Sequence, residues 1–322
     1  MVTALTGSGL GTTFLPLLIL NGATDSLLIN SIFLSFKIMP KAILPWKLKQ
    51  FQQSTATDYN TTLGEPGSNA KTEKNAVLTF THNLSPADTS GAINVCPGAG
   101  NCKKTCLHWA GNPAYMKGKQ AKRIRQTVAF SQDQNSYLEM LTLSIVRAMT
   151  KFKGQQIAVR LNTTSDIKWE ELSFNLSPDV QEFMQNRFGF KFWSGRYDSI
   201  LELFLGLNVI FYDYSKIKRD WAKCKDLNYH LTASYDGHSN TANHKVCIDA
   251  LNNGVNVAAA FNIKRSEPLP DVVDLLGLTL PVIDGDVSDS RFDDAKGHLI
   301  GLRFKQPRAT RYSLEDVASF CI

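Results

Sequence analysis

Short β-rich apolar runs alternate with helical patterns over residues 76–305, and that alternation restricts the fold more than any other feature of the chain. Ala76-Val-Leu-Thr-Phe80, Ile157-Ala-Val-Arg-Leu161, Asn208-Val-Ile-Phe-Tyr212, Tyr229-His-Leu-Thr-Ala233 and Val255-Asn-Val-Ala-Ala-Ala260 read as strands. Pro281-Val-Ile-Asp284 and Leu299-Ile-Gly-Leu-Arg-Phe304 are candidates for two more. Between them, Ser136-Tyr-Leu-Glu139 has the spacing of a capping box. It would open a helix with Leu138, Leu141, Ile145 and Met149 on its apolar face. Ser177-Pro178 opens another, with Val180, Phe183, Met184 and Phe188 inside and Gly189 as its stop. A third spans roughly 241–253 and ends at Gly254. Such alternation predicts right-handed βαβ units and a mostly parallel sheet.

Polar residues gather just past the strands. Arg160, Asn162, Ser165 and Asp166 follow the second; Asp213, Ser215 and Lys216 the third; Ser234, Asp236 and His238 the fourth; Asn262 the fifth. Polar strand ends are the signature of a barrel's active face, so the expected fold is α/β, a partial (β/α) barrel. An open doubly wound sheet shows the same tendency. Arg160, Asn162, Ser165, Asp166, Asp213, Lys216, Ser234 and Asn262 are the expected ligands for a small molecule at that face. No G-x-S-x-G elbow accompanies the serines, and no G-x-G-x-x-G or Walker motif follows a strand. The acidic run Asp284-Gly-Asp286 with Asp289, Arg291, Asp293 and Asp294 lacks the spacing of an EF-hand. A solvated turn with an Asp–Arg pair is the expectation there.

Three of the six cysteines, Cys96, Cys102 and Cys106, occupy one loop after the first strand, spaced C-x5-C-x3-C. Three thiolates on one flexible loop suit a soft metal or an iron–sulfur cluster. Gly98 and Gly100 let the backbone bring its N–H groups near the sulfurs. A four-iron cluster on three cysteines keeps one iron open. A zinc site needs a fourth ligand, for which His108 is available, and unliganded redox thiols are the remaining reading. Cys224, Cys247 and Cys321 are dispersed, and Cys247 is expected in the core.

Lys103, Lys104, Lys117, Lys119, Lys122, Arg123 and Arg125 follow, with no acidic residue between Cys96 and Arg125. The stretch is either a solvated helix face or a nucleic-acid contact over 103–125, with Trp109 and Tyr115 interleaved for stacking. The net charge of +6 is compatible with an anionic partner and demands none. Six cysteines in 322 residues are too few for a disulfide scaffold, so a cytoplasmic protein with reduced thiols is expected. Residues 10–39 are apolar, but Asn21, Asp25 and Asn30 break the run below membrane-span length. No membrane partner is expected. Residues 1–74 read as a poorly structured extension and linker, with Met39 a candidate native start, and 75–322 as the α/β domain.

The residues also carry a resemblance. Cys96-Pro…Cys102…Cys106, Gly111, Arg125-Gln-Thr127, Arg160-Leu-Asn with Ser165-Asp166, Phe211-Tyr-Asp-Tyr-Ser-Lys216 and Asp284-Gly-Asp…Asp289-Ser-Arg291 resemble the phage protein family called gene product 88. The likeness covers about residues 76–305. That layout is similar to radical S-adenosylmethionine enzymes, where a three-cysteine loop after the first barrel strand holds a four-iron cluster. The resemblance implies a [4Fe–4S] cluster on Cys96, Cys102 and Cys106, with S-adenosylmethionine as a candidate cofactor. Those enzymes use C-x3-C-x2-C and a glycine-rich motif after the second strand, where this chain has C-x5-C-x3-C and Asn162-Thr-Thr-Ser165. The alternative function is a non-catalytic, zinc-stabilised nucleic-acid-binding protein.

Overall fold

In a computed structural model the described residues are 42–67, 76–106, 117–305 and 313–322. The apolar run at 10–39, Met39, His108, Trp109, Gly111 and Tyr115 lie outside them. The elements are helix α1 (Trp46–Thr55), strands β1 (Leu63–Gly64) and β2 (Leu78–His82), helices α2 (Lys117–Gln132) and α3 (Gln134–Lys151), β3 (Ile157–Arg160), β4 (Phe174–Leu176), α4 (Pro178–Phe188), β5 (Gly195–Tyr197), α5 (Ile200–Leu203), β6 (Val209–Ser215), α6 (Trp221–Asp226), β7 (Tyr229–Ser234), α7 (Thr241–Asn252), β8 (Val257–Phe261), β9 (Val272–Leu275), β10 (Leu278–Asp284), β11 (Leu299–Arg303) and α8 (Leu314–Phe320).

Nine of these strands form one sheet in the order β1-β2-β3-β6-β7-β8-β11-β10-β9. From β2 to β10 every neighbouring pair is parallel. β1 and β9, at the edges, run antiparallel to their neighbours. The sheet is therefore mixed α/β and largely parallel, as the alternation predicts. Its order advances strand by strand from β2 to β8 and then reverses, because β11 inserts between β8 and β10.

The reversal has a physical counterpart in the two faces. Alternate side chains Ile157, Val159, Val209, Phe211, Leu231, Ala233 and Val257 join one core with the buried faces of α1, α3, α4 and α7. On the opposite face Ala158, Ile210 and Tyr212 are covered by Val77 and by Phe292, from the segment joining β10 to β11. A right-handed crossover that moves backwards along the sheet must use the opposite face, which is what this segment does.

α3 is the most buried helix, with Leu138, Leu141 and Ile145 fully enclosed. Its cap differs from the expected box at Ser136. Asp133 precedes the helix and accepts the Ser136 N–H (3.0 Å), while the buried Glu139 accepts the N–H of Ser177 (2.7 Å). Asp133 caps the helix three residues earlier than Ser136 would, and Glu139 ties α3 to the start of α4. α4 has Pro178 in its first turn and ends at Gly189, whose φ of +78° is the left-handed stop the sequence indicates.

The folded body begins upstream of residue 75. α1 packs Leu48 (0 % exposed) and Phe51 into the core, and β1 pairs with β2. Ser144 Oγ donates to the Tyr59 carbonyl (2.6 Å) and Gln126 Nε2 to that of Thr62 (2.9 Å). The polar composition of 52–75 reads as a linker, but these tertiary hydrogen bonds hold its described part, 52–67, against α2 and α3.

Candidate functional site

The cysteine loop leaves the carboxyl end of β2 and lies across the carboxyl ends of β6 and β7. Glycine makes the approach possible. A Cβ on Gly98 would come 2.6 Å from Ile217 Cγ2 and 3.2 Å from the Lys216 carbonyl. A Cβ on Gly100 would strike the Asp236 carboxylate and the Asn240 amide. Asp236, just past β7, is fully buried. Its carboxylate accepts the backbone N–H groups of Asn101 and Cys102, both at 2.9 Å. The Asn101 side chain donates to the carbonyls of Asp236 (2.7 Å) and Ser319 (3.1 Å). α8 thus packs over the loop, and its Asp316 pairs with Lys104 (2.9 Å).

Cys96 Sγ accepts the Ala87 N–H (3.3 Å) and lies 3.7 Å from the Thr164 carbonyl. Its thiol is raised to about 11, chiefly by burial; the Ala87 N–H opposes the shift, and Cys106 and Asp166 contribute to it. Burial pushes Cys102 up to about 12; the Lys216 ammonium opposes this, while Asp236 and Cys106 add to it. Cys106 therefore lies within electrostatic reach of both other cysteines. None of the six cysteines is disulfide-bonded, and Cys224 and Cys247 are buried in helices.

Cysteine thiolates are the ligands that an iron–sulfur cluster takes, each on a different iron, so the cysteines of such a site stand apart. A single ion is more demanding: tetrahedral zinc with Zn–S near 2.3 Å needs sulfurs about 3.8 Å apart. Among the described residues, no three His, Cys, Asp or Glu side chains form a group that could hold a metal ion.

Asp166, Lys216 and Ser234 sit beside the loop. The Asp166 N–H donates to the Val95 carbonyl (2.8 Å), its Oδ2 accepts the Lys216 N–H (2.7 Å), and its Oδ1 meets the buried Arg219 (2.6 Å), which also binds Glu170. Lys216 Nζ donates to Ser234 Oγ (2.9 Å) and the Tyr235 carbonyl (3.1 Å) and lies 3.5 Å from Asp236. It also stands over the Phe320 ring, 5.2 Å from the centroid.

Arg160, Asn162, Ser165 and Asp213 belong to a neighbouring buried network. Asn162 Oδ1 accepts from Ser165 Oγ (2.8 Å), the Ile167 N–H (2.9 Å) and Trp169 Nε1 (2.9 Å), fixing the turn after β3. Asp213 accepts from the Leu161 N–H and Tyr229 Oη, both at 2.9 Å. Burial pushes its carboxyl up to about 7, against the nearby Arg160. Arg160 pairs with Asp289 (2.7 Å) and stands over the Tyr212 and Tyr214 rings. Asn262 is exposed past β8, apart from both groups.

The acidic run is engaged by arginines. Asp284 and Asp286 hold Arg303, Asp289 holds Arg160, and Asp294 pairs with Arg291. In the basic stretch Lys103 pairs with Asp88 (3.0 Å) as Lys104 does with Asp316. Lys117, Lys119 and Arg125 are exposed along α2, and Lys122 and Arg123 are half-buried. Ser234, Asp236 and His238 form no serine–histidine–aspartate combination: His238 meets Tyr235 Oη (3.1 Å) and Asp236 faces the cysteine loop. Sequence reasoning missed Arg219 and α8 as parts of the site. It noted Asp236 but did not select it; Gly237, with φ +88° against the Ser319 backbone, marks how closely that turn is packed.

No helix among the described residues is long and apolar enough to cross a membrane. No curated protein and no solved structure matches the chain. The family model described as gene product 88 matches residues 46–321, from the first turn of α1 to the end of α8. By that match, the chain belongs to the gene product 88 family.

Proposed function

We propose that the protein binds a [4Fe–4S] cluster through Cys96, Cys102 and Cys106 and uses it on a small molecule held at the strand ends, in the cytoplasm. One observation carries the reading: three cysteines share a loop that follows the first parallel strand and is clamped to Asp236. Such a cluster supplies electron transfer and, with three protein ligands, one open coordination position. Asp236 orients the loop through two amides. The Lys216 ammonium beside Cys102 offsets negative charge on bound thiolates. Ser234 and Asp166 hold Lys216 in place. The stepwise order β2-β3-β6-β7-β8, with helices against one face, is common to open parallel sheets and (β/α) barrels and is the support for a partial-barrel, radical-enzyme-like reading. S-adenosylmethionine is then the first cofactor to try.

Protein purified without oxygen, or reconstituted with iron and sulfide, should be brown with broad absorbance near about 400 nm and stoichiometric iron and sulfide. Cys102→Ser should lose the colour. Colourless protein with stoichiometric zinc would sink the proposal. Salt-sensitive DNA or RNA binding, weakened by substitution of Lys122 and Arg123, would favour the nucleic-acid alternative.

A further inference from the structure

The carboxyl ends of β8 and β11 lie where the strand order reverses. The chain leaving β8 crosses the helix-bearing face of β11: a Cβ on Gly301 would come 2.8 Å from Leu269 Cδ1. The chain leaving β10 returns over the other face, where a Cβ on Gly285 would come 2.6 Å from Ile300 Cγ2. Connections departing on opposite faces leave a crevice at the strand ends, the usual ligand position in an open α/β sheet.

That crevice is a cleft of about 520 Å³ lined by Asn262, Ile263, Lys264, Arg265, Glu267 and Phe304. Its volume lies in the range of small-molecule sites. Its wall is braced. Arg303 Nε donates to the Glu267 carbonyl (2.9 Å), and the same guanidinium is fixed by both oxygens of Asp284 at 2.9 Å. The Glu267 N–H closes the turn onto the Lys264 carbonyl (3.0 Å). Lys264 and Arg265 are exposed, and among the described residues neither forms an ion pair. A point cation beside a planar guanidinium fork suits a phosphate group.

We propose that this cleft binds a phosphorylated small molecule of nucleotide size, with Lys264 and Arg265 on the phosphate and Asn262 and Phe304 walling the remainder. No cysteine lines it, so the inference stands apart from the cluster reading. The two places are nonetheless adjacent: Phe304 packs edge-on against Phe320 (6.3 Å), the ring beneath Lys216.

Calorimetric titration of the full chain at low salt tests this with ADP, pyrophosphate and adenosine. ADP should bind, with adenosine weaker by about tenfold or more. Lys264→Ala with Arg265→Ala should weaken ADP by about tenfold or more, whereas Lys225→Ala, an exposed lysine on α6, should not. Unchanged melting curves establish that the variants fold. Absence of ADP binding, adenosine binding as tightly as ADP, pyrophosphate binding without ADP binding, or a double variant with full affinity overturns the proposal.

Discussion

Asp236 accepts the backbone N–H of Cys102 at 2.9 Å from a position 134 residues away in the chain. The same carboxylate accepts from Asn101 and from Asn240 Nδ2 (2.7 Å). Removing it leaves several donors without their acceptor, at a cost of about 2–4 kcal/mol. Asp236→Ala should therefore lower the melting temperature and speed hydrogen exchange at Asn101 and Cys102. Unchanged exchange at those two amides would show that the loop is held by something else.

Gly100 and Gly118 make a matched pair. A Cβ on Gly100 meets Asp236 and Asn240, whereas one on Gly118, in the first turn of α2, meets nothing within 4 Å. Gly100→Ala should destabilise by about 1–3 kcal/mol. Gly118→Ala should be neutral or stabilising by about 0.5–1 kcal/mol. Denaturant unfolding of both variants measures the contrast; equal effects would remove the case for close approach at Gly100.

His82 is fully buried between the Tyr137 hydroxyl (2.6 Å) and the Leu161 carbonyl (2.9 Å). Burial lowers its pKa to about 4, so it folds neutral. The unfolded chain binds the proton more readily, and stability should fall as pH drops from near 6.5 towards 4, by up to about 3 kcal/mol. His82→Gln should flatten that acid limb in unfolding experiments across this range. An unaltered limb would assign the loss to other groups.

Asp213 acts in the opposite direction. Its folded-state value near 7 lies above that of an unfolded aspartate, so the protonated form favours folding. Its contribution is complete below about pH 4 and is lost as pH rises through 7. Asp213→Asn should remove that decline. Arg160→Met takes away the cation that opposes the shift, so it should move the decline to higher pH. A decline left in place by Asp213→Asn would count against this assignment.

The body's upstream boundary is tested on α1. Leu48→Ala should cost about 2–4 kcal/mol, while Trp46→Ala, 67 % exposed, should stay within about 0.5 kcal/mol. Equal, small effects in denaturant unfolding would return 46–67 to the status of a linker.

The strands were readable because apolar β-branched runs declare themselves locally: β3, β7 and β11 start where their sequence patterns start. What remained hidden was tertiary. The hairpin joining β9 to β10 turns through Leu276 and Gly277, both with positive φ (57° and 78°). A leucine in that position gives none of the Asn-Gly or Asp-Gly signal such turns usually carry. Without the hairpin, the reversed order around β11 could not be seen. α1 was masked by its glutamines, with only Leu48 and Phe51 buried. At the site, the cysteine cluster stood out by spacing, but its clamp did not, since nothing local links Cys102 to Asp236. Asn162 and Ser165 looked like ligands because buried turn-forming amides and hydroxyls use the same residue types as binding sites.

The insertion of β11 between β8 and β10 also sets an order of events during synthesis. Until residues 299–303 emerge, β8 and β10 lack their shared neighbour, and the backbone edges that β11 fills are unpaired. The central sheet becomes continuous only once β11 has been made, and α8, further along the chain, reaches the cysteine loop later still. A nascent chain stalled before β11 would expose two open parallel edges, the form most exposed to wrong pairing.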